Sequence, residues 1–187
     1  MNKNIFLIVL LLSMLINLTS KSQSLKIGLR YEPGILLTEQ NSSTEIVPVL
    51  FCLSANFIVQ PNTWLNFLVR PGILFVDEQY SGFEIGAFVR LMLFSTKFYL
   101  ITGINNHSNR EYAHNRSGSY GKEMLFKSIG LGYQADSKFG VDICYYWTSD
   151  KEYAYALLTD GLTYSRIVNR QMNGILKLGL NLSWDIL

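Results

Sequence analysis

Apolar and polar residues alternate along the last stretch of the chain, residues 174–187. One set of alternate positions is bulky and apolar: Leu176, Leu178, Leu180, Leu182, Trp184 and Ile186. The set between them contains Ile175, Lys177, Gly179, Asn181, Ser183 and Asp185. A period of two predicts a β-strand with one apolar and one polar face. The charged residues share their face with small residues, which is expected of a narrow polar interior surrounded by lipid.

Seven earlier segments show the same alternation, so the sequence predicts eight strands. The seven segments are 25–32, 47–59, 65–75, 83–93, 98–105, 125–134 and 139–147. An even number of strands returns both ends of the chain to one side of a barrel. Within 65–75, Pro71 cannot donate a hydrogen bond to a neighbouring strand, and we expect a β-bulge there.

The outward faces of these strands are apolar or aromatic, except at Pro71, Thr102 and Lys127. Most glycines fall on the opposite face, together with the charged residues Lys26, Arg30, Glu32, Arg70, Glu84, Arg90, Asp142 and Lys177. An eight-stranded barrel has an interior just wide enough for side chains to fill. We therefore expect a salt-bridged polar core, with a narrow ion path as the alternative, because buried charges must be paired or hydrated.

The connections between the predicted strands alternate in length. Tight turns fall at 61–64, 94–97 and 135–138, longer connections at 36–46, 106–123 and 148–171, and a short loop at 76–81. Short turns at one end and long loops at the other are typical of outer-membrane barrels. Segments 153–155 and 162–164 are predicted to prolong their strands beyond the membrane as a ribbon.

Aromatic residues gather near the strand ends in two bands. On the turn side they are Phe57, Trp64, Phe98, Phe139 and Trp184, and on the loop side Tyr31, Phe75, Phe83, Tyr145 and Trp147. Trp and Tyr prefer the boundary between lipid and water. The two bands therefore predict aromatic girdles at the two membrane surfaces.

The first residues read as a secretory signal peptide, 1–22. Lys3 precedes an apolar run of 14 residues, 5–18, shorter than the ~20 that a spanning helix needs. Ser20 and Ser22 fit a small-x-small cleavage site, which leaves 23–187 as one barrel domain. The whole chain has 16 basic and 14 acidic residues. Without Lys3 and Lys21 the balance is 14 of each, so nothing favours nucleic-acid binding.

The alternating strands and the closing pattern Leu178-x-Leu180-x-Leu182-x-Trp184 resemble the small eight-stranded outer-membrane barrels, the OmpA-like and OmpX-like members of the porin family. The closing pattern looks like the carboxy-terminal signal read by the barrel-assembly machinery, although Asp185-Ile186-Leu187 follows where the family usually ends on an aromatic residue. The resemblance implies an all-β, up-and-down antiparallel transmembrane barrel in a Gram-negative outer membrane. It also implies contact with outer-membrane lipid and lipopolysaccharide, and termini in the periplasm.

One polar segment, 105–111, could carry chemistry. His107, Ser108 and Glu111 could form a base, a nucleophile and an orienting carboxylate. The segment is loosely similar to the His-x-Ser-Asn signature of lipid A deacylases, but the residue between His and Ser is missing. The strand register also predicts that His107 points inward with Gly103 and Asn105, whereas an enzyme that attacks membrane lipid needs a site facing the bilayer.

Cysteine and histidine give no metal or cofactor prediction. Cys52 and Cys144 fall on the inward faces of strands that are not neighbours, so we expect two shielded thiols and no disulfide. The two histidines accompany no acidic cluster of ligand spacing.

The leading prediction is a non-enzymatic outer-membrane barrel that acts through loops 106–123 and 148–171. Their tyrosines, which suit contact with an unknown partner, polysaccharide or lipopolysaccharide, are Tyr112, Tyr120, Tyr153, Tyr155 and Tyr164. The first alternative is a lipid A modifying enzyme using His107 and Ser108. The second is a soluble, lipocalin-like barrel with apolar side chains inside.

Overall fold

The computed structural model describes residues 24–40, 43–93, 96–114, 116–160 and 164–186. They form thirteen strands. The first seven are β1 (Ser24–Tyr31), β2 (Gly34–Gln40), β3 (Ser43–Val49), β4 (Phe51–Gln60), β5 (Leu65–Phe75), β6 (Ser81–Met92) and β7 (Phe98–Asn109). The other six are β8 (Tyr112–His114), β9 (Ser117–Ser119), β10 (Glu123–Gln134), β11 (Phe139–Thr148), β12 (Glu152–Asp160) and β13 (Tyr164–Asp185).

Eight of these strands close into an antiparallel barrel, as the alternation predicts. Their order around the barrel is β1-β4-β5-β6-β7-β10-β11-β13. The barrel closes because β13 also pairs with β1, with Lys26 opposite Asp185 and Arg30 opposite Asn181. Closure satisfies the backbone hydrogen bonds of every strand, which is the condition for a sheet to cross a membrane.

The two ends of the barrel differ. Tight connections join β4 to β5, β6 to β7 and β10 to β11 at one end, which we call the turn end. Residues at the start of β1 and the end of β13 also lie there, because the N–H of Ile186 donates to the carbonyl of Leu25 at 2.8 Å. The opposite end, the loop end, carries the longer connections.

The longer connections fold as hairpins that pair with one another. Together they extend the barrel wall as an outer sheet with the strand order β3-β2-β13-β12-β9-β8. The predicted ribbon is confirmed where the structure describes it, since β12, which contains 153–155, pairs with the first half of β13. Residues 162 and 163 of the second predicted segment lie outside the described residues. The connection 36–46, predicted as a loop, instead contributes strand pairs between β2 and β3, and residues 106–109 prolong β7.

Apolar side chains point out of the barrel and charged side chains point into it, as predicted. Lys177 is 1% exposed, whereas Leu178 and Leu182 on the same strand are 43% and 46% exposed. Exposed apolar and aromatic side chains surround the barrel, while seven of the eight charged residues predicted to point inward are buried and the eighth, Lys26, is half-buried. This arrangement is opposite to that of a soluble lipocalin-like barrel, and that alternative is wrong.

Three local predictions need correction. The segment 47–59 is not one strand, because β3 ends at Val49 and β4 begins at Phe51. Val49, expected outward, is fully buried, since Leu50 and Phe51 are both exposed and the alternation restarts there. The bulge expected at Pro71 is wrong: Ser54 pairs with Gly72 and Phe57 with Val69, so the register is the same before and after the proline.

The predicted signal peptide, residues 1–22, lies outside the described residues. In the described ranges, no helix is long and apolar enough to cross a membrane.

Candidate functional site

The barrel interior contains a charge cluster centred on Arg30. Its Nη1 and Nη2 atoms donate to the two carboxylate oxygens of Asp142 at 2.8 and 2.5 Å, and Nη2 also lies 2.7 Å from Glu32 Oε1. Tyr99 and Asn181 donate to Asp142 Oδ2 at 2.9 and 3.0 Å. All of these residues are buried. The bidentate arginine–carboxylate geometry holds strands β1 and β11 together across the lumen.

The Arg30 guanidinium lies against Gly179, where there is no space for a side chain. A Cβ atom added at Gly179 would overlap Nη1, Nη2 and Cζ of Arg30. A larger residue would therefore displace the cation from Asp142. This contact explains one glycine of the polar face in β13.

A second cluster is centred on Lys177, nearer the loop end. Its Nζ lies 2.9 Å from Glu84 Oε2 and 3.5 Å from Cys52 Sγ, and 5.0 Å from the ring centre of Tyr146. Glu84 also faces Nδ1 of His107 at 3.6 Å. With the first cluster, these contacts confirm the predicted salt-bridged core.

Two buried arginines have no carboxylate within 4 Å among the described residues. Arg70 lies over the ring of Phe88 and Arg90 over the ring of Tyr99, each at 4.3 Å. Their charges are stabilised by the aromatic faces and not by an ion pair. The interior thus contains more buried cations than buried carboxylates.

The loop end of the lumen is closed by packed side chains. The ring of Tyr80 packs against that of His107, with ring centres 4.4 Å apart and planes tilted by 36°, and contacts Tyr153 edge to face at 5.4 Å. Asn109 ties the connections above them together, because its Nδ2 donates to the carbonyls of Tyr120 and Gln79 at 3.0 and 3.3 Å. We call these packed residues the cap. Cap and charge clusters fill much of the lumen, as expected for a barrel of eight strands.

The three residues proposed for catalysis do not converge. His107 is fully buried in the cap, on the inward face of β7, as its register predicts. Ser108 follows it in the strand and is exposed on the outward face. Glu111 lies beyond β7 and is exposed. A nucleophile and its base must be within hydrogen-bond reach, so this geometry does not support the deacylase alternative.

The two loops predicted to bind partners form one surface. In the outer sheet β9 pairs with β12, with Ser119 opposite Ala154 and Ser117 opposite Ala156. This pairing brings 106–123 and 148–171 together around a groove of about 580 Å³. The residues that line the groove are Glu111, Ser119, Tyr120, Gly121, Lys122, Glu152 and Tyr155. We call it the outer groove.

Two tyrosines dominate the outer groove. The rings of Tyr120 and Tyr155 are 5.3 Å apart and tilted by 43°. The hydroxyl of Tyr120 donates to Asn169 Oδ1 at 2.8 Å, which anchors the ring to β13. Partial burial, with smaller effects from Glu152 and Tyr155, raises the pKa of Tyr120. The phenol therefore stays neutral at physiological pH and keeps its donor.

The charge of the outer groove is negative. Lys122 pairs with Asp150 at 2.6 Å, whereas Glu111 and Glu152 form no ion pair with a described residue. Their exposed carboxylates are hydrogen-bond acceptors beside two aromatic faces. The groove thus suits a neutral or cationic ligand better than a phosphate.

The loop tyrosines predicted to contact a partner do not all lie in the outer groove. Tyr120 and Tyr155 line the outer groove, Tyr112 lies in β8 outside the groove lining, and Tyr153 is buried in the cap. The side chain of Tyr164 lies outside the described residues. The burial of Tyr153 corrects its assignment as a contact residue.

Cys52 and Cys144 are buried free thiols, as predicted. In the parts of the chain that the structure describes, no three His, Cys, Asp or Glu side chains are grouped so that they could hold a metal ion.

Sequence reasoning missed Tyr80 and Asn109, both central to the cap. Tyr80 falls in the short connection after β5, where Asp77 Oδ1 accepts the N–H groups of Gln79 and Tyr80, both at 2.8 Å. The signal that could have identified Tyr80 was the presence of an aromatic residue in a short polar turn. Asn109 offered none, because it lies in a polar run without periodicity.

No protein-family model and no curated protein matches this chain. Among solved structures, Neisserial surface protein A matches with 14% identity over 83% of this chain and 96% of its own, at a TM-score of 0.48. The N-terminal β-barrel domain of Pseudomonas aeruginosa OprF matches with 7% identity over 87% and 100%, at 0.48. The outer membrane protein OprG of the same species matches with 7% identity over 87% and 97%, at 0.46. These similarities assign no function to this chain.

Proposed function

We propose that this protein is an integral outer-membrane β-barrel that binds carbohydrate at the cell surface through its outer groove and catalyses no reaction. The membrane assignment is supported by the band of exposed apolar side chains around a closed sheet. The outer membrane is the place where bacterial barrels of this size occur. The outer sheet then faces the cell exterior and the turn end faces the periplasm.

The observation that carries the binding role is the pairing of β9 with β12. It forms one groove from the two longest connections. A purely structural barrel needs neither two facing tyrosines nor two exposed carboxylates beside them. Ligand sites of this volume commonly combine aromatic walls with a few polar groups.

Carbohydrate fits the chemistry of the groove. The apolar face of a sugar ring packs on tyrosine, and its hydroxyls donate to carboxylates such as Glu111 and Glu152. The negative charge of the groove disfavours the phosphates of lipopolysaccharide. We therefore favour a neutral polysaccharide over lipopolysaccharide as the ligand.

Titration calorimetry with the folded protein in detergent micelles tests this proposal. The probes are neutral bacterial oligosaccharides and a phosphorylated set of equal length. We expect saturable binding of a neutral probe, and a loss of about tenfold in Tyr155→Ser, because this variant removes one of the two aromatic walls of the groove.

Tyr112→Ser is the matched control, because Tyr112 lies in the same sheet but does not line the groove. It should bind as the unmodified protein does. Equal binding by the two variants, or preference for the phosphorylated set, would contradict the proposal.

A further inference from the structure

A second cavity lies at the turn end of the barrel, remote from the outer groove. Its volume is about 200 Å³. The residues lining it are Lys26, Ile58, Gln60, Thr63, Asn66, Arg90, Met92, Gln134, Asp136, Ser137 and Ser183. We call this cavity the vestibule. Amide, hydroxyl and cationic groups form most of its wall.

The formal charges of the buried interior do not balance. The buried cations are Arg30, Arg70, Arg90 and Lys177, and the buried carboxylates are Glu32, Glu84 and Asp142. Among these described residues, one positive charge is in excess. A buried charge without a counter-charge is costly, so an anion that reached the excess cation would be bound favourably.

Arg70 and Arg90 are the two candidates, and their surroundings differ. The cavity beside Arg70 has only about 10 Å³ and is also lined by the carboxylates of Glu32 and Glu84. That cavity is about the size of one water molecule and repels an anion. Arg90 instead lines the larger vestibule, whose position at the turn end makes it reachable from the solvent there.

The groups around Arg90 can receive an anion. Arg90 is 5% exposed, and its Nη1 donates to Gln134 Oε1 at 3.1 Å, while Nε and Nη2 have no hydrogen-bond partner in the described chain. Both of these donors are buried where the guanidinium lies over the ring of Tyr99, so the planar group must turn toward the vestibule to direct them at one oxyanion. Hydroxyls of Thr63 and Ser137 line the same space and can donate as well.

The other charged residues at the vestibule leave room for an anion. Lys26 pairs with Asp185 at 3.1 Å and donates to the carbonyl of Ser137 at 3.5 Å, which leaves one of its three donors available. The Oδ1 atom of Asp136 accepts the N–H groups of Phe139 and Lys138, both at 2.7 Å. Those N–H groups hold the pKa of Asp136 below its usual value. This carboxylate stays charged, but it is held by its own turn and forms no ion pair with Arg90 in the described ranges.

We propose that the vestibule is a binding site for a small oxyanion, a carboxylate or phosphate group, held by Arg90 and entering from the periplasmic side. The anion can be a free ion, or it can be the terminal group of a larger molecule that reaches the barrel. This site lies at the opposite end from the outer groove and does not depend on carbohydrate binding there.

The test is calorimetric titration of sodium acetate and, separately, sodium phosphate into the folded protein in zwitterionic micelles. A bulky sulfonate buffer keeps the ionic strength constant. We expect saturable binding of at least one anion, and the two titrations distinguish carboxylate from phosphate. Arg90→Gln should weaken binding about tenfold or more, as expected for the loss of a charged hydrogen bond.

Lys138→Gln is the control, because it removes one positive charge at the same end without altering the vestibule lining. It should bind as the unmodified protein does. Thr63→Trp keeps every interior charge and fills the entrance, and it should abolish binding even if Arg90→Gln does not fold. Absence of binding by the unmodified protein, or undiminished binding by Thr63→Trp or a folded Arg90→Gln, overturns the proposal.

Discussion

Each buried carboxylate of the interior contacts at least one buried cation. Glu32 and Asp142 share Arg30, and Glu84 contacts Lys177. In a barrel surrounded by lipid, an unpaired carboxylate would have neither water nor a counter-charge. The pairing therefore determines which charges this narrow interior can contain.

The Arg30–Asp142 pair should be a main determinant of stability. Asp142→Asn preserves the shape of the side chain but leaves the guanidinium with Glu32 as its one ion-pair partner among the described residues. We expect a loss of about 3 kcal/mol. Asp150→Asn removes an exposed pair with Lys122 and should cost about 0–1 kcal/mol. Urea unfolding of the refolded protein in liposomes, followed by the gel shift between folded and heated forms, measures both. Equal losses would show that the interior pair adds nothing beyond a surface pair.

At the residue scale, the sequence predicts which side chains point inward but not which ones meet. Arg30 and Asp142 are separated by 112 positions along the chain, and their contact depends on the closed sheet. Val49 shows the limit of alternation, since the two consecutive exposed residues after it reverse the faces of the strand. Alternation identifies a face only while the register continues without a break.

At the element scale, long strands with sustained alternation are predicted well. The predicted bounds of β5, 65–75, are the observed ones, because eleven residues of apolar and polar alternation leave few other registers. β8 and β9 have three residues each and no apolar period. β9 is positioned by its pairing with β12, and β8 by its pairing with β9, so no local pattern could have predicted the outer groove.

The pairing of β9 with β12 can be tested by a disulfide. Ser117 lies opposite Ala156, and partners across antiparallel strands have Cα atoms about 4.5–5.5 Å apart, within the range that a disulfide spans. Ser117→Cys with Ala156→Cys should therefore crosslink on mild oxidation, as seen by a mobility difference without reductant. Ser117→Cys with Leu158→Cys, two positions along β12, should not. A crosslink in the second variant alone would disprove the register of the outer sheet.

The apolar face of β13 should be sensitive to charge in the middle of the strand. Leu180 lies between Leu178 and Leu182 on that face. Leu180→Lys places an ammonium near the centre of the lipid, and we expect a loss of about 2–4 kcal/mol. Ile186→Lys, past the end of the strand at the turn end, should cost about 0–1 kcal/mol, because that position is near the membrane surface. Unfolding in lipid vesicles measures the difference, and two equal values would be inconsistent with a membrane-facing β13.

At the scale of the whole molecule, side chains occupy much of the barrel lumen, and the two ends of the barrel differ in chemistry. The salt-bridged clusters and the cap lie inside the barrel. The groups that could bind ligands lie at its two ends, in the outer groove and in the vestibule. The groove is aromatic and acidic, whereas the vestibule is polar and contains Arg90 and Lys26. This difference in chemistry is consistent with the two proposed sites binding different molecules on the two sides of the membrane.

The proposed orientation makes a prediction for intact cells. Lys151 is exposed at the loop end and Ser137 is exposed in the turn after β10, while the native thiols are buried and should not react. Lys151→Cys should react with a membrane-impermeant maleimide on intact cells. Ser137→Cys should react only after the outer membrane is permeabilised, because the proposed orientation puts the turn end in the periplasm. Labelling of Ser137→Cys on intact cells, with Lys151→Cys protected, would invert the barrel and move the outer groove away from the cell surface.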